Sequence, residues 1–157
     1  MPSAIELITI DPNQSYEGKL IGFDFGLRHI GIAVGQTFTQ NATPLTAILA
    51  RYGEPVVWSD IDKLIKEWRP KALIVGIPLN MNDTPQTTTM PARQFAEKLK
   101  QRYNLPVHGV DERLTTKDAK AQLFEKGGYK ALKKQNVDAL SAALILETWM
   151  SAHLDKL

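Results

Sequence analysis

The chain has 157 residues, 43% of them hydrophobic and 23% charged. This length predicts a single domain with a real core, and the apolar content excludes disorder as the main state. The absence of cysteine excludes a disulfide scaffold, a thiol nucleophile, thiolate zinc and iron–sulfur centres. The net charge of +2 conceals an asymmetry, because Arg113 to Lys134 carries seven basic residues against Asp118 and Glu125. That block sums to +5 and leaves −3 for the remainder, a distribution that suits a polyanionic partner. A solvated helix face is the bland alternative.

Residues 1–18 read as a polar leader, with at most a short strand near Ile5 to Ile10, and 19–157 as one domain. No signal peptide is visible at the start, and the longest apolar stretch, Ala72 to Leu79, is far below the roughly 20 residues of a membrane span. The expectation is a cytoplasmic protein with no membrane partner. Leu20 to Phe25 and Ile30 to Gly35 flank a glycine-containing turn and predict a β-hairpin. A third strand is expected at Leu45 to Ala50, then a turn from Arg51 to Pro55. Trp58, Ile61, Ile65 and Trp68 recur at helical spacing, and both tryptophans fall on the stripe that would be buried. Ala72 to Ile77 is a continuous apolar run, as in a strand covered on both faces.

Pro78 to Pro91 reads as a long polar loop, in which Thr84, Thr87, Thr88 and Thr89 could offer hydroxyls to phosphate oxygens. Ala92, Phe95, Ala96, Leu99 and Tyr103 mark a second helix, and Val107 to Val110 a short strand. Thr115 to Asp118 fits a capping box opening a third helix through Glu125. Asn136 is placed to cap a last helix from Val137 to about His153. This order predicts an α/β fold: a mixed five-stranded sheet, its first three strands antiparallel and the rest parallel, flanked by helices.

Four carboxylates stand out by position. Asp24 falls inside an apolar strand, where an unpartnered charge is costly. Asp111 and Glu112 end the last strand, and Asp138 lies at the predicted start of the final helix. In such sheets, the ends of central strands converge on one crevice. Acids converging there without histidine or cysteine describe a hard-cation site for magnesium or manganese, with two ions expected alongside a phosphodiester substrate. Structural readings stay open: a helix dipole favours an acid in its first turn, and Asp111 to Arg113 could form a surface ion pair. His29, His108 and His153 lack ligand spacing and read as structural or surface residues.

Gly22 to Gly26 with Ile30 to Gly35, Val75 to Met81, Asp111 to Thr116, and Val137-Asp138 with Ala142 to Glu147 occur in that order. Together they resemble the YqgF family, RNase H-like proteins described as Holliday junction resolvases and pre-16S rRNA nucleases. Leu27 stands where threonine is common in that family, and Asn82-Asp83-Thr84 where Asp-Gly-Thr is frequent. The resemblance implies an RNase H-like fold and metal-binding catalytic carboxylates at Asp24, Glu112 and Asp138. Adjacent strand residues point oppositely, so only one of Asp111 and Glu112 should face the metals, and Glu112 is favoured.

The expected function is metal-dependent hydrolysis of structured RNA in 5′-end processing of pre-16S rRNA. The alternative is resolution of branched DNA, which needs two active sites and hence a homodimer rather than a monomer. A non-catalytic nucleic-acid-binding module and an actin-like ATP-binding domain are the readings of other classes. Arg113, Lys117, Lys130, Lys133 and Lys134, with Thr87 and Thr88, are the expected nucleic-acid contacts.

Overall fold

The computed structural model describes residues 16–78, 88–111, 125 and 134–154. Its elements are β1 (Lys19–Asp24), β2 (His29–Gln36), β3 (Asn41–Arg51), β4 (Glu54–Pro55), α1 (Trp58–Trp68), β5 (Ala72–Ile77), α2 (Thr89–Tyr103), β6 (Val107–Asp111) and α3 (Lys134–His153). The expected strand near Ile5 to Ile10, residues 79–87 of the loop expected from Pro78 to Pro91 and most of the expected helix at 115–125 lie outside the described residues, while the end of that loop, from Thr89, is the first turn of α2.

The strands form one sheet in the order β4-β3-β2-β1-β5-β6. The β1–β2 and β2–β3 pairs are antiparallel, while β1–β5 and β5–β6 are parallel. The mixed topology therefore agrees with the sequence, but there are six strands rather than five. The extra strand is β4, paired with the end of β3 through Ala50↔Pro55 and Arg51↔Glu54. Two residues are too short to show a period, so this stretch reads as a turn in the sequence. β3 also begins at Asn41 rather than Leu45. Its early half contains Pro44, accommodated where the register against Ile32 and Ala33 shifts by one residue in a bulge.

Both faces of the central strands are covered. On one face Ile21, Phe23, Ile32, Leu73 and Val75 pack with Ile61 of α1 and with Phe95 and Leu99 of α2. On the other, Leu20, Ala33, Ala72, Ile74 and Val110 pack with Leu140, Ile145, Leu146 and Trp149 of α3. Each large apolar side chain removed from water in this way stabilises the fold by about 1.5–3 kcal/mol. Tyr16 belongs to the second core, buried against Trp149 and His108, so the last residues before β1 are part of the packed structure.

Trp58 and Trp68 are only partly buried, a departure from the core position their spacing suggests. Trp58 stacks on Phe95 while its indole N–H donates to Glu54. Next to it, Arg102 donates two hydrogen bonds to Asp62 (2.9 and 2.8 Å) and Tyr103 a third (2.6 Å), tying α2 to α1. Those donors, Arg102 foremost, hold the Asp62 carboxyl down at about 2. Helix α1 ends with Arg69 in the left-handed region, its N–H bonded to the Ile65 carbonyl, one residue before Pro70. Among the described residues no helix is long and apolar enough to cross a membrane.

Candidate functional site

Asp24 is the last residue of β1 and stands opposite Gly31 of β2. Side chains alternate along a strand, so Asp24 shares a face with Leu20 and Gly22. That is the α3 face: Leu20 packs in the α3 core, and a Cβ on Gly22 would meet Leu146. Asp138 lies on α3 and is only 4% exposed. Its backbone rests directly on Gly31, where an added Cβ would come within 2.0 Å of the Asp138 carbonyl oxygen. Gly31 is thus the register partner of Asp24 and the seat of Asp138. Two acids distant in sequence meet at one level of the sheet.

Asp138 lies deeper in its helix than the sequence suggests. Helix α3 starts at Lys134, so Asn136 is inside the helix and not its cap, and Asp138 is the fifth helical residue. The first turn contains no acid. A dipole interaction fades beyond the first turn, and burial of the carboxylate needs another explanation.

Asp111 ends β6 opposite Ile77 of β5. His108 stacks on Trp149 of α3, and Val110 belongs to the α3 core, so the pleat assigns Asp111 to the opposite face, with Val107 and Ile77. The structure therefore places the backbones of Asp24 and Asp138 at one level on the α3 face, and Asp111 on the opposite face. Glu112, Arg113, Lys117, Lys130, Lys133 and Thr87 lie outside the described residues, and Lys134 is described only as the first residue of α3. Thr88 precedes α2 in helical conformation and makes no side-chain cap. Thr89 is buried in the helix start, where its hydroxyl donates to the Pro78 carbonyl, so it is not a free phosphate contact.

Hard oxygen donors at Asp24 and Asp138 suit magnesium or manganese and not a soft-ligand metal. Among the described residues, no group of three His, Cys, Asp or Glu side chains is placed to hold a metal ion. His108 is no substitute. It is buried, its Nε2 is 3.1 Å from the Tyr16 hydroxyl, and burial, with the nearby His153, lowers its pKa to about 4. It packs against Trp149, eleven residues along α3 from Asp138, a rise of about 16 Å. A hollow of about 540 Å³ between β3 and α1, lined by Leu49, Val56, Asp60, Lys63 and Glu67 among others, includes neither Asp24 nor Asp138.

Residue 31 escaped the sequence reading as a functional position. Its signal was present: a glycine inside a strand often marks close approach of another backbone.

Residues 18–152 match the RuvX family, described as a Holliday junction resolvase. The chain belongs to the RuvX (YqgF) family. A protein of Aeromonas hydrophila subsp. hydrophila named "Putative pre-16S rRNA nuclease" is 55% identical over 132 residues, covering 84% of this chain and 94% of that one. One of the same name from Actinobacillus pleuropneumoniae serotype 7 is 54% identical over 133 residues, covering 85% and 96%. The fold is shared with T. thermophilus RuvC in complex with Holliday junction substrate, at a TM-score of 0.56 and 16% identity over 88% of this chain and 97% of that one. Membership of the RuvX family makes the protein a nuclease, a hydrolase of phosphodiester bonds in nucleic acid.

Proposed function

We propose that the protein is a metal-dependent nuclease that processes the 5′ end of pre-16S rRNA in the cytoplasm, with Asp24, Glu112 and Asp138 as its catalytic carboxylates. The observation that carries the site is the seating of Asp138 on Gly31, the partner of Asp24. Asp111 falls on the other face of the sheet, so the third carboxylate is assigned to Glu112, the neighbouring acid. The relatives' shared name carries the substrate.

Magnesium or manganese held by these acids would supply Lewis-acid activation of water and charge neutralisation at the phosphate, two ions being expected with substrate bound. The chain's own part is positional. Asp24 is fixed by the β1–β2 ladder, and Asp138 by a buried helix, so neither acid depends on a mobile loop for its placement. His108 is held neutral and engaged with Tyr16, so it takes no proton from the attacking water.

The family's description as a resolvase favours a second reading, cleavage of four-way DNA junctions by a homodimer. Matched rRNA-precursor and DNA-junction substrates, each with magnesium or manganese, separate the two. Preferential cleavage of the RNA by a monomer supports the proposal, and paired symmetric cuts in the junction by a dimer support the alternative. In either case Asp24→Asn should abolish turnover while keeping the melting temperature. Full magnesium-dependent turnover by that variant would sink the site assignment.

A further inference from the structure

The two-residue turn joining β3 to β4 holds a feature that packing does not explain. Tyr52 and Gly53 both have positive φ, 51° and 84°. Such turns favour asparagine, aspartate or glycine at the first central position, and a tyrosine there is sterically disfavoured. Burial does not compensate for it, because Tyr52 is 87% exposed. The turn is nevertheless fixed in place. The Gly53 N–H donates to the Leu27 carbonyl (3.0 Å), and the Ala50 N–H to the Arg28 carbonyl (2.7 Å). Gly53 also lies against the ring of Phe25, the residue after Asp24, so closely that a Cβ would come within 2.5 Å of it.

Arg28 and Arg51 flank this turn, both exposed, and neither makes a side-chain hydrogen bond or ion pair among the described residues. The acids nearest along the chain are Asp24 for Arg28 and Glu54 for Arg51, and Glu54 is already engaged by Lys98 and Trp58. Two guanidinium groups with no ion pair among the described residues therefore flank an exposed ring at the same end of the sheet as Asp24. Arg51 alternates onto the face of Leu49 and Ala47, and Ala47 stands opposite Gly31. Two strand spacings across and four residues along put the Cα of Arg51 about 16 Å from that of Asp24, a few nucleotides from the acids.

We propose that Tyr52, Arg28 and Arg51 form a stacking platform for single-stranded substrate nucleic acid next to the carboxylate site. The ring takes the face of an unpaired base, and the arginines take the flanking phosphates. This rests on the nuclease reading above. It names a further contact surface besides the basic block proposed at 113–134, carried by the turn between β3 and β4.

The test uses a labelled 12-nucleotide single-stranded RNA, bound in EDTA to prevent cleavage, and a blunt RNA duplex of the same sequence. Tyr52→Asn keeps the turn chemistry and should melt at or above the wild-type temperature. It should nevertheless weaken single-strand binding by about 5- to 150-fold, the range for loss of one stacked base. Tyr52→Phe should bind as wild type. The Arg28→Gln/Arg51→Gln pair should lower the slope of log affinity against log salt by about 1.4.

In cleavage, Tyr52→Asn should raise KM and leave kcat unchanged. Wild-type affinity in Tyr52→Asn, or an equal loss on the duplex, would overturn the platform while leaving the nuclease reading intact. A wild-type protein that neither binds nor cleaves nucleic acid would overturn both.

Discussion

His108 should make the protein sensitive to mild acid, by an amount that its surroundings allow to be worked out. It is 2% exposed, stacked at 5.2 Å on Trp149 and engaged with Tyr16. Burial, reinforced by His153, holds it at about 4, against an ordinary value of 6.5. Between those values the unfolded chain takes up a proton at this position and the native state does not. Stability attributable to His108 is therefore intact above pH 6.5 and is lost as the pH falls toward 4. At pH 5 the loss comes to about 2 kcal/mol, and it approaches about 3 kcal/mol at pH 4.

Urea titrations followed by tryptophan fluorescence at pH 7.5 and pH 5 read this directly. For an unfolding slope of about 2 kcal/mol/M, the midpoint should fall by about 1 M. His108→Phe keeps a ring against Trp149 and removes the proton site, so its two midpoints should lie closer together by most of that amount. His29 remains in both proteins, and repeating the pair in a His153→Gln background removes the coupling between positions 153 and 108. An identical pH dependence in wild type and variant would refute the reasoning.

Three further outcomes are expected. Gly31→Ala forces a methyl group into the backbone of α3 at Asp138 and should cost about 1–3 kcal/mol in denaturant titrations. Displacing Asp138 by about 1 Å should lower cleavage about 100-fold, and undiminished turnover would show that the contact does not position the acid. Replacing Lys130, Lys133 and Lys134 with glutamine should weaken nucleic-acid binding, with the salt slope falling by roughly one logarithmic unit per lost contact. An unchanged slope would return the block to a solvated face. Shortening the chain between Asn82 and Thr88 should depress cleavage of the RNA far more than it lowers the melting temperature, and equal activity would make that segment a plain connector.

Much of the architecture was legible because the physics behind it is periodic. The run from Ala72 to Ile77 predicts a strand buried on both faces, and every one of its residues is buried. The stripe from Trp58 to Trp68 predicts α1 with its observed bounds. The misses fall where period gives way to pairing. β4 exists only because β3 offers it two partners, and the first half of β3 holds its shape through a ladder with β2 that its own composition does not announce. Asn136 is a good cap and predicts a start of α3 at Val137, but the helix runs through it from Lys134. Asp138 reads in the sequence as an acid favoured by a first helical turn, and Asp24 alone was legible as an acid in a place where acids are costly. That Gly31 joins them was not, because contact between a strand and a helix more than 100 residues apart leaves no local pattern.

If Asp24 and Asp138 carry the chemistry as proposed, the manner of that joining separates chemistry from recognition in this fold. Helix α3 can lie close to β1 and β2 because glycine is at residues 22, 31 and 35 beneath it, and because its own facing residues include Ser141, Ala142 and Ala143, all buried. Close approach sinks Asp138 to the level of the sheet, next to the strand that ends in Asp24. A carboxylate delivered in this way is held by the whole helix, whose other half is locked by Trp149 against His108 and Tyr16. Its position is therefore stable and its reach short. Such a site can act only on a phosphate brought to it, so on the proposed assignment affinity for the nucleic acid comes from groups other than the acids: the turn bearing Tyr52, and the basic residues from Arg113 onward. On this arrangement, substitutions in the rim should change which substrate is held and how tightly, while substitutions beneath α3 should change whether it is cut.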